Sequence, residues 1–513
     1  MSIGTYATLA PERPAVIDSA SGAVITFNEL NARSNRLAQY FHRVGLRRGD
    51  TVALFMENNP RFLEIAWAAR RSGLYLTAVN RYLTAEEAIY IIDDCDAVLL
   101  VSSAARADVA AHLPGRLPRC RRYLMTDGTI AGWESFEEAV AACPAEPLAE
   151  EWLGEIMLYS SGTTGRPKGV RRPLRPVKVD EDDVLALFTR GYGFDTDTVY
   201  LSPAPMYHAA PLAFSVGVQS RGGTVVMMPR FDAEAALAAI ERYRVTHSQF
   251  VPTMFVRLLK LPADIRTSWD LSSHRLAIHA AAPCPVAVKQ AMIDWWGPII
   301  HEYYGGTEGN GMTRIESAEW LAHPGSVGRP IIGVLHICDE DGNDLPAGEP
   351  GLVYFERDTL PFAYHKDPER TQAAQHPLHP NWSTLSDIGY VDGEGYLYLT
   401  DRKAFMIISG GVNIYPREIE DVLIAHPQVR DVAVFGLPDP DMGEHVKAVV
   451  ELIDDAAPSD GLAAALIAFA RDRLAHYKVP KTVDFVAALP RLPTGKLYKQ
   501  ALRAAYLARM PAV

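Results

Sequence analysis

The chain has 513 residues, 48% hydrophobic and 22% charged, an ordinary globular balance for two to four packed units. A formal net charge of −12 argues against bulk attraction to nucleic acid or to anionic lipid. No run approaches the roughly 18 consecutive apolar residues of a membrane span, and residues 1–14 lack a basic segment followed by an apolar core, so a cytoplasmic address is expected.

From residue 25 the hydrophobic period alternates. Ile25-Thr26-Phe27 predicts a short strand and Asn28 a helix cap, with Leu30, Leu37, Phe41 and Val44 on one helical face. Arg48-Gly49-Asp50 predicts a turn and Thr51–Met56 a buried strand. Pro60–Arg71 then reads as a helix, Tyr75–Val79 as a strand, Thr84–Ile92 as a helix and Ala97–Ser102 as a third strand. This repetition predicts an α/β fold with a largely parallel sheet. The middle third repeats it, with strands at Thr198–Ser202, Thr224–Met228 and Leu276–Ala280.

From Val334 the character changes. Short strands at Val334–Cys338, Gly351–Phe355 and Tyr396–Leu399 between Gly/Asp turns predict a small β-rich subdomain. Beyond Asp401 come helix Glu418–His426, strands Val429–Phe435 and Val446–Leu452, helix Gly461–His476 and strand Val483–Val486. The expected organisation is a large N-terminal domain over residues 1–400, built of α/β subdomains plus the β-rich one. A small α+β C-terminal domain over residues 401–513 follows it. Cys95, Cys120, Cys143, Cys284 and Cys338 form no CxxC pair and read as reduced, packed thiols.

The densest chemistry lies at Tyr159–Val170. The apolar run Ile156-Met157-Leu158 leads into Ser160, Ser161, Gly162, Thr163, Thr164, Gly165 and, after Arg166-Pro167, Lys168. Glycines let backbone N–H groups turn toward an anion, hydroxyls add donors and Lys168 adds charge, as a polyphosphate requires. The order Pro-Lys-Gly is not that of a Walker A loop, and no GxGxxG is present. Downstream, Tyr303-Tyr304-Gly305-Gly306-Thr307-Glu308 joins aromatics to a hydroxyl and a carboxylate. An aromatic can stack on a base, and a carboxylate beside a hydroxyl can hold Mg2+. Asp387 can accept from both hydroxyls of a vicinal diol.

Ser160–Val170 resembles the signature loop of the adenylate-forming superfamily, which includes acyl- and aryl-CoA synthetases, peptide adenylation domains and beetle luciferase. The other motifs resemble that family in order, from about Ile25 to Lys496. The resemblance implies that Ser160–Lys168 cradles phosphates, that Tyr303, Tyr304 and Gly305 adjoin the adenine, and that Thr307 and Glu308 serve phosphate and metal, with Thr163 as a second Mg2+ ligand. Ile278–Pro283 resembles the strand and loop that pack on adenine, so Ala281, Ala282 and Pro283 are nucleotide contacts where the family often has glycine. Asp387 is the implied ribose ligand, preceded by Ser386 where glycine is usual. Two residues before Tyr304 this chain has Glu302 where relatives often place asparagine.

The resemblance also makes Asp401 a hinge and Arg402 a ribose or phosphate contact. It places Gly410 and Gly411 beside a pantetheine channel and makes Lys496, in Pro493-Thr494-Gly495-Lys496, the lysine of adenylation. His208 would flank the acyl carboxylate. Arg171, Arg172, Arg175 and Lys178 read as a solvated basic loop in preference to a coenzyme A phosphate contact. The implied enzyme is an AMP-forming acyl-CoA synthetase using ATP, Mg2+ and coenzyme A, its C-terminal domain rotating between half-reactions. The apolar stretch Phe250-Val251-Pro252-Thr253-Met254 points to a hydrophobic acid, medium- or long-chain fatty acids first, then alicyclic, steroid-side-chain or aryl acids. A carrier-loading adenylation enzyme and a non-catalytic nucleotide-binding protein are the alternatives. The expected partners are small molecules, with a homodimer as the candidate oligomer.

Overall fold

A computed structural model describes residues 2–160, 167–182, 185, 189–282, 284–402, 405–409, 412–440, 442–491 and 497–509, with backbone alone at 160, 401, 402 and 413. The first α/β layer is a six-stranded, all-parallel sheet. Its order is Glu134–Ser135, Arg122–Thr126, Ala97–Ser103, Thr51–Phe55, Tyr75–Ala78 and Glu155–Ile156. Every residue of Thr51–Phe55 and of Tyr75–Ala78 is buried, because helices cover both faces of a parallel sheet and make its strands apolar throughout.

The second layer is a nine-stranded sheet whose inner strands are parallel. Ile300–Gly305, Leu276–His279, His247–Phe250, Val199–Ser202, Thr224–Met227 and Pro14–Asp18 run side by side. Antiparallel strands close both edges, Met312–Ile315 and Arg329–Ile332 on one side and Val24–Thr26 on the other. The carboxyl ends of the parallel strands open onto loops, where open α/β sheets bind ligands.

The expected β-rich subdomain is a four-stranded antiparallel sheet of Val334–Cys338, Gly351–Glu356, Trp382–Val391 and Leu397–Arg402. Its last strand runs further than the sequence pattern suggests. Pairing continues through Ile388 with Asp401 and Asp387 with Arg402, so the ladder carries Asp401 and Arg402 rather than ending at Leu399. A small antiparallel sheet of Leu158–Ser160, Lys168–Arg171 and Ala363–Tyr364 joins distant parts of the chain.

The C-terminal part has its own five-stranded sheet, made of Val412–Ile414, Ile407–Ser409, Gly443–Leu452, Val429–Asp439 and Thr482–Val486. Ile407, Ile419, Leu423, Val434, Val450 and Leu466 form a core separate from those of the larger part. Polar contacts among the described residues tie it to the rest: Arg417 Nη1 donates to the Leu399 carbonyl at 2.8 Å, and Lys260 Nζ to the Arg430 carbonyl at 3.2 Å.

Capping corrects one expectation. The helix Phe27–Arg43 is capped by Thr26, not Asn28. Thr26 Oγ1 accepts from the Glu29 N–H at 3.2 Å while the Glu29 carboxylate accepts from the Thr26 N–H at 2.9 Å, satisfying two donors that one asparagine could not. All five cysteines are free and buried. Among the described residues no helix is long and apolar enough to cross a membrane.

Candidate active site

A cleft of about 2790 Å3 opens between the large part of the chain and the C-terminal sheet. It is lined from both sides, by residues such as Lys168, Tyr304 and Asp387 and by Phe405, Arg417 and Lys499.

At the phosphate end, Lys168 starts the strand Lys168–Arg171 and pairs in register with Ser160. Ser161, Gly162, Thr163, Thr164 and Gly165 lie outside the described residues. Lys168 Nζ donates to the Tyr364 hydroxyl at 2.8 Å and lies 4.0 Å from Glu308 Oε1. The same hydroxyl donates to Glu308 Oε1 at 2.9 Å. Tyr364 is 4% exposed, and sequence reasoning missed it. The other carboxylate oxygen, Oε2, has no hydrogen bond to a described residue. An anionic oxygen left open beside a lysine fits a hard cation such as Mg2+ and its phosphates.

Gly306 leaves room for two side chains of the site. A Cβ on Gly306 would stand 2.5 Å from Leu385 Cδ1 and 2.9 Å from Glu308 Oε2. Arg172 Nη2 donates to the Thr307 carbonyl at 2.8 Å, and Arg171 lies over the Tyr75 ring. Arg175 pairs with buried Asp182, and Lys178 sits 3.3 Å from Glu150. The basic run is therefore partnered and half-buried, not the solvated loop its composition suggested.

At the nucleoside end, the Tyr304 hydroxyl donates to Asp387 Oδ2 at 2.7 Å. Alternation along Ile300–Gly305 sends the neighbouring ring the other way, and Tyr303 packs against Phe214, toward the acyl end. Gly305, Ala281 and Ala282 line the cleft; Pro283 lies outside the described residues. Ala281 and Ser386 both have left-handed backbone, at φ 75° and 64°. The Thr384 hydroxyl holds the second turn by accepting from the Ser386 N–H at 2.9 Å.

Glu302 is accounted for by an ion pair. Lys289 Nζ donates to Glu302 Oε2 at 2.7 Å, and His279 Nε2 lies 3.5 Å from the same oxygen. Burial opposes ionisation of Glu302, but the charge of Lys289 outweighs it and holds the carboxyl below its ordinary range.

His208 precedes the helix Ala209–Ser220 and lines the cleft. Its Nε2 is buried with no partner among the described residues, and burial pushes its pKa down to about 3. It is a neutral imidazole with one nitrogen left for a ligand. Of the C-terminal residues expected in the site, Arg402 is described by backbone alone, and Gly410, Gly411 and Lys496 lie outside the described residues.

The pattern of the family described as AMP-binding enzyme matches residues 5–364, and that of the AMP-binding enzyme C-terminal domain matches residues 418–496. The chain is 34% identical over 491 residues to the feruloyl-CoA synthase of Amycolatopsis sp, covering 94% of each. It is 32% identical over 516 residues to the long-chain-fatty-acid–CoA ligase FadD13 of Mycobacterium tuberculosis, covering 98% of each. Among solved structures, ATP-bound MatB from Rhodopseudomonas palustris is similar with a TM-score of 0.83 and 29% identity, covering 99% of each chain.

Proposed function

The chain belongs to the AMP-binding enzyme family and is an AMP-forming acyl-CoA synthetase that uses ATP, and from that premise we propose that it activates a hydrophobic carboxylic acid and passes it to coenzyme A. One observation carries the reading of the site. Lys168, His208, Glu308 and Asp387, from four distant segments, all line one cleft.

The acid's carboxylate attacks the α-phosphorus of ATP, and pyrophosphate leaves. Charge builds on phosphoryl oxygens, so positioning and fixed positive groups do most of the work. Lys168, held by Tyr364, is suited to the departing phosphates, and Asp387 to the ribose hydroxyls. Neutral His208 can donate to the acyl carboxylate without adding a charge to the pocket. Lys496 is assigned to bridge carboxylate and α-phosphate. Glu308, with Thr163, is the Mg2+ ligand this reading requires; bound Mg2+ neutralises the phosphates.

In the second half-reaction the thiol of coenzyme A, with a pKa near ~8.5 and so partly ionised at neutral pH, attacks the acyl carbon. The carbon–sulfur bond forms, the bond to AMP breaks, and AMP leaves with the electron pair. We assign residues 1–400 to the adenylation domain and residues 401–513 to a domain that turns about Asp401 between the two steps.

The test is ATP-dependent release of AMP and pyrophosphate across straight-chain, alicyclic and aromatic acids, with and without coenzyme A. Thioester formed only with coenzyme A is the expected result. Adenylate without thioester would instead make this a carrier-loading enzyme.

A further inference from the structure

Beyond His208 the cleft is walled by Ala210, Ala213, Ala280 and Met312, and Gln249 stands among them. Gln249 lies on the strand His247–Phe250 and is 5% exposed. Its Nε2 donates to the Tyr303 hydroxyl at 3.1 Å, and its Oε1 accepts from the Tyr200 hydroxyl at 3.3 Å. A primary amide has two N–H donors and an oxygen with two lone pairs. Half of that capacity is left without a partner among the described residues, in a pocket whose neighbouring walls are methyl groups and rings.

Aromatics stand on one side of the same end, where Leu185 and Val216 also line the cleft. Phe214 stands 6.0 Å from Tyr303 and 5.2 Å from Tyr192, centroid to centroid. Behind it Tyr200 lies at 6.3 Å with 8° between planes, and Phe194 meets it edge-on at 6.1 Å. Phe194, Tyr200 and Phe214 are 4%, 0% and 1% exposed, so no alkyl path runs through them. Such a wall favours a flat, compact group that can take offset or edge contacts.

We infer that Gln249 is a specificity-determining residue that reads a ring hydroxyl at the distal end of a compact aromatic acid. The inference rests on the ligase reading and narrows its acid from hydrophobic to hydroxyaryl. A hydroxyl accepts from the open N–H of Nε2 and donates to the open lone pair of Oε1, so it completes the amide. An unsubstituted ring or a methyl-ended chain displaces water from both groups and pairs neither, which is the costly case. A pocket built around such a pair rejects the analogue that lacks the hydroxyl far better than an apolar pocket rejects one that carries it.

The experiment compares kcat/KM for adenylation of 3-(4-hydroxyphenyl)propanoate, 3-phenylpropanoate and decanoate by the full chain and by Gln249→Leu and Gln249→Met. Wild type should favour the hydroxylated acid over its unsubstituted partner by roughly 10- to 100-fold. In either variant that ratio should fall toward one, mainly through loss on the hydroxylated acid. Melting curves identify which variants fold, and one folded variant is enough. Equal loss on both aromatic acids would mark Gln249 as structural only. A wild-type preference for decanoate would overturn the inference while leaving the ligase reading intact. Absence of AMP release with every acid of the wider panel overturns the two together.

Discussion

The Tyr364 hydroxyl donates to Glu308 Oε1 at 2.9 Å while its own oxygen accepts from Lys168 Nζ at 2.8 Å. One buried phenol thus spaces a cation and an anion that would otherwise meet directly across 4.0 Å. Closing that gap would draw Lys168 away from the phosphates. Tyr364→Phe should lower kcat/KM for ATP–pyrophosphate exchange by roughly 10- to 100-fold, the scale of hydrogen bonds to charged groups. The KM for ATP should carry much of the change. An unaltered exchange rate would show that the hydroxyl does not position Lys168.

Two substitutions should separate the half-reactions. Lys496→Ala is expected to abolish adenylation yet retain thioester formation from supplied acyl-adenylate. Asp401→Pro should do the reverse. Asp401 lies in the ladder opposite Ile388, and Arg417 ties the C-terminal helix to the Leu399 carbonyl just before it. A proline there fixes φ and hinders reorientation more than it disturbs the arrangement already formed. Equal loss of both steps in Asp401→Pro, read by exchange and by thioester assay, would remove the hinge role.

Tyr364 also shows where sequence reasoning reaches its limit. The strands of the parallel layers were legible because each is a continuous apolar run set by burial on both faces, as in Thr51–Phe55. The strand Ala363–Tyr364 has two residues, and its partner lies near Val170, far away in sequence. No local period reports such a pairing; the alternation Phe362-Ala363-Tyr364 before Pro368 was the only signal available. The basic run at Arg171–Lys178 misled for a similar reason, since its partners Asp182 and the Thr307 carbonyl are fixed by tertiary packing. Lys168, Glu308 and Asp387 were legible because their residue types in order carry chemistry that ordinary turns do not need.

The two departures from glycine have a measurable cost. Ala281 and Ser386 sit at φ 75° and 64°, where a Cβ crowds the backbone and glycine does not. Ala281→Gly should stabilise the fold by about 1 kcal/mol. Ser386→Gly should gain a similar amount, each gain being net of the chain entropy that glycine loses on folding. Denaturant midpoints at neutral pH would settle it, and a fall in stability for Ala281→Gly would mean the strain is offset by packing of its methyl group.

Stability should fall steeply with acid. Burial pushes His247 down to about 4 and His274 and His279 each to about 3, below the ordinary 6.5. Above pH 6.5 these rings are neutral folded and unfolded alike and contribute no slope. Below it the unfolded chain takes up protons the fold refuses, so stability is lost as pH falls from 6.5 toward 3. Glu64, raised to about 7 by burial, acts in the opposite direction by binding its proton in the fold. His208, likewise pushed down to about 3, joins the three histidines, and four groups against one leave a net loss on the order of 5 kcal/mol between pH 7 and pH 5. Urea midpoints at the two pH values check it, and a flat profile would mean the histidines are solvated.

The pair Lys289–Glu302 should behave as one unit. Lys289 is fully buried on the helix Val286–Trp296, and its ammonium has Glu302 at 2.7 Å. A carboxylate so far from water needs that charge, because His279 beside it is held neutral by its own burial. Lys289→Met should therefore destabilise the protein by about 3–5 kcal/mol and drive Glu302 to take up a proton. Adding Glu302→Gln removes the uncompensated charge and should recover most of the loss. Glu302 also lines the cleft, on the strand that leads to Tyr304, so the double variant should remain folded yet bind nucleotide differently. Melting curves and ATP titration of the two variants make the distinction. If the double variant is no more stable than Lys289→Met alone, the cost lies in lost packing of the lysine stem and not in its charge.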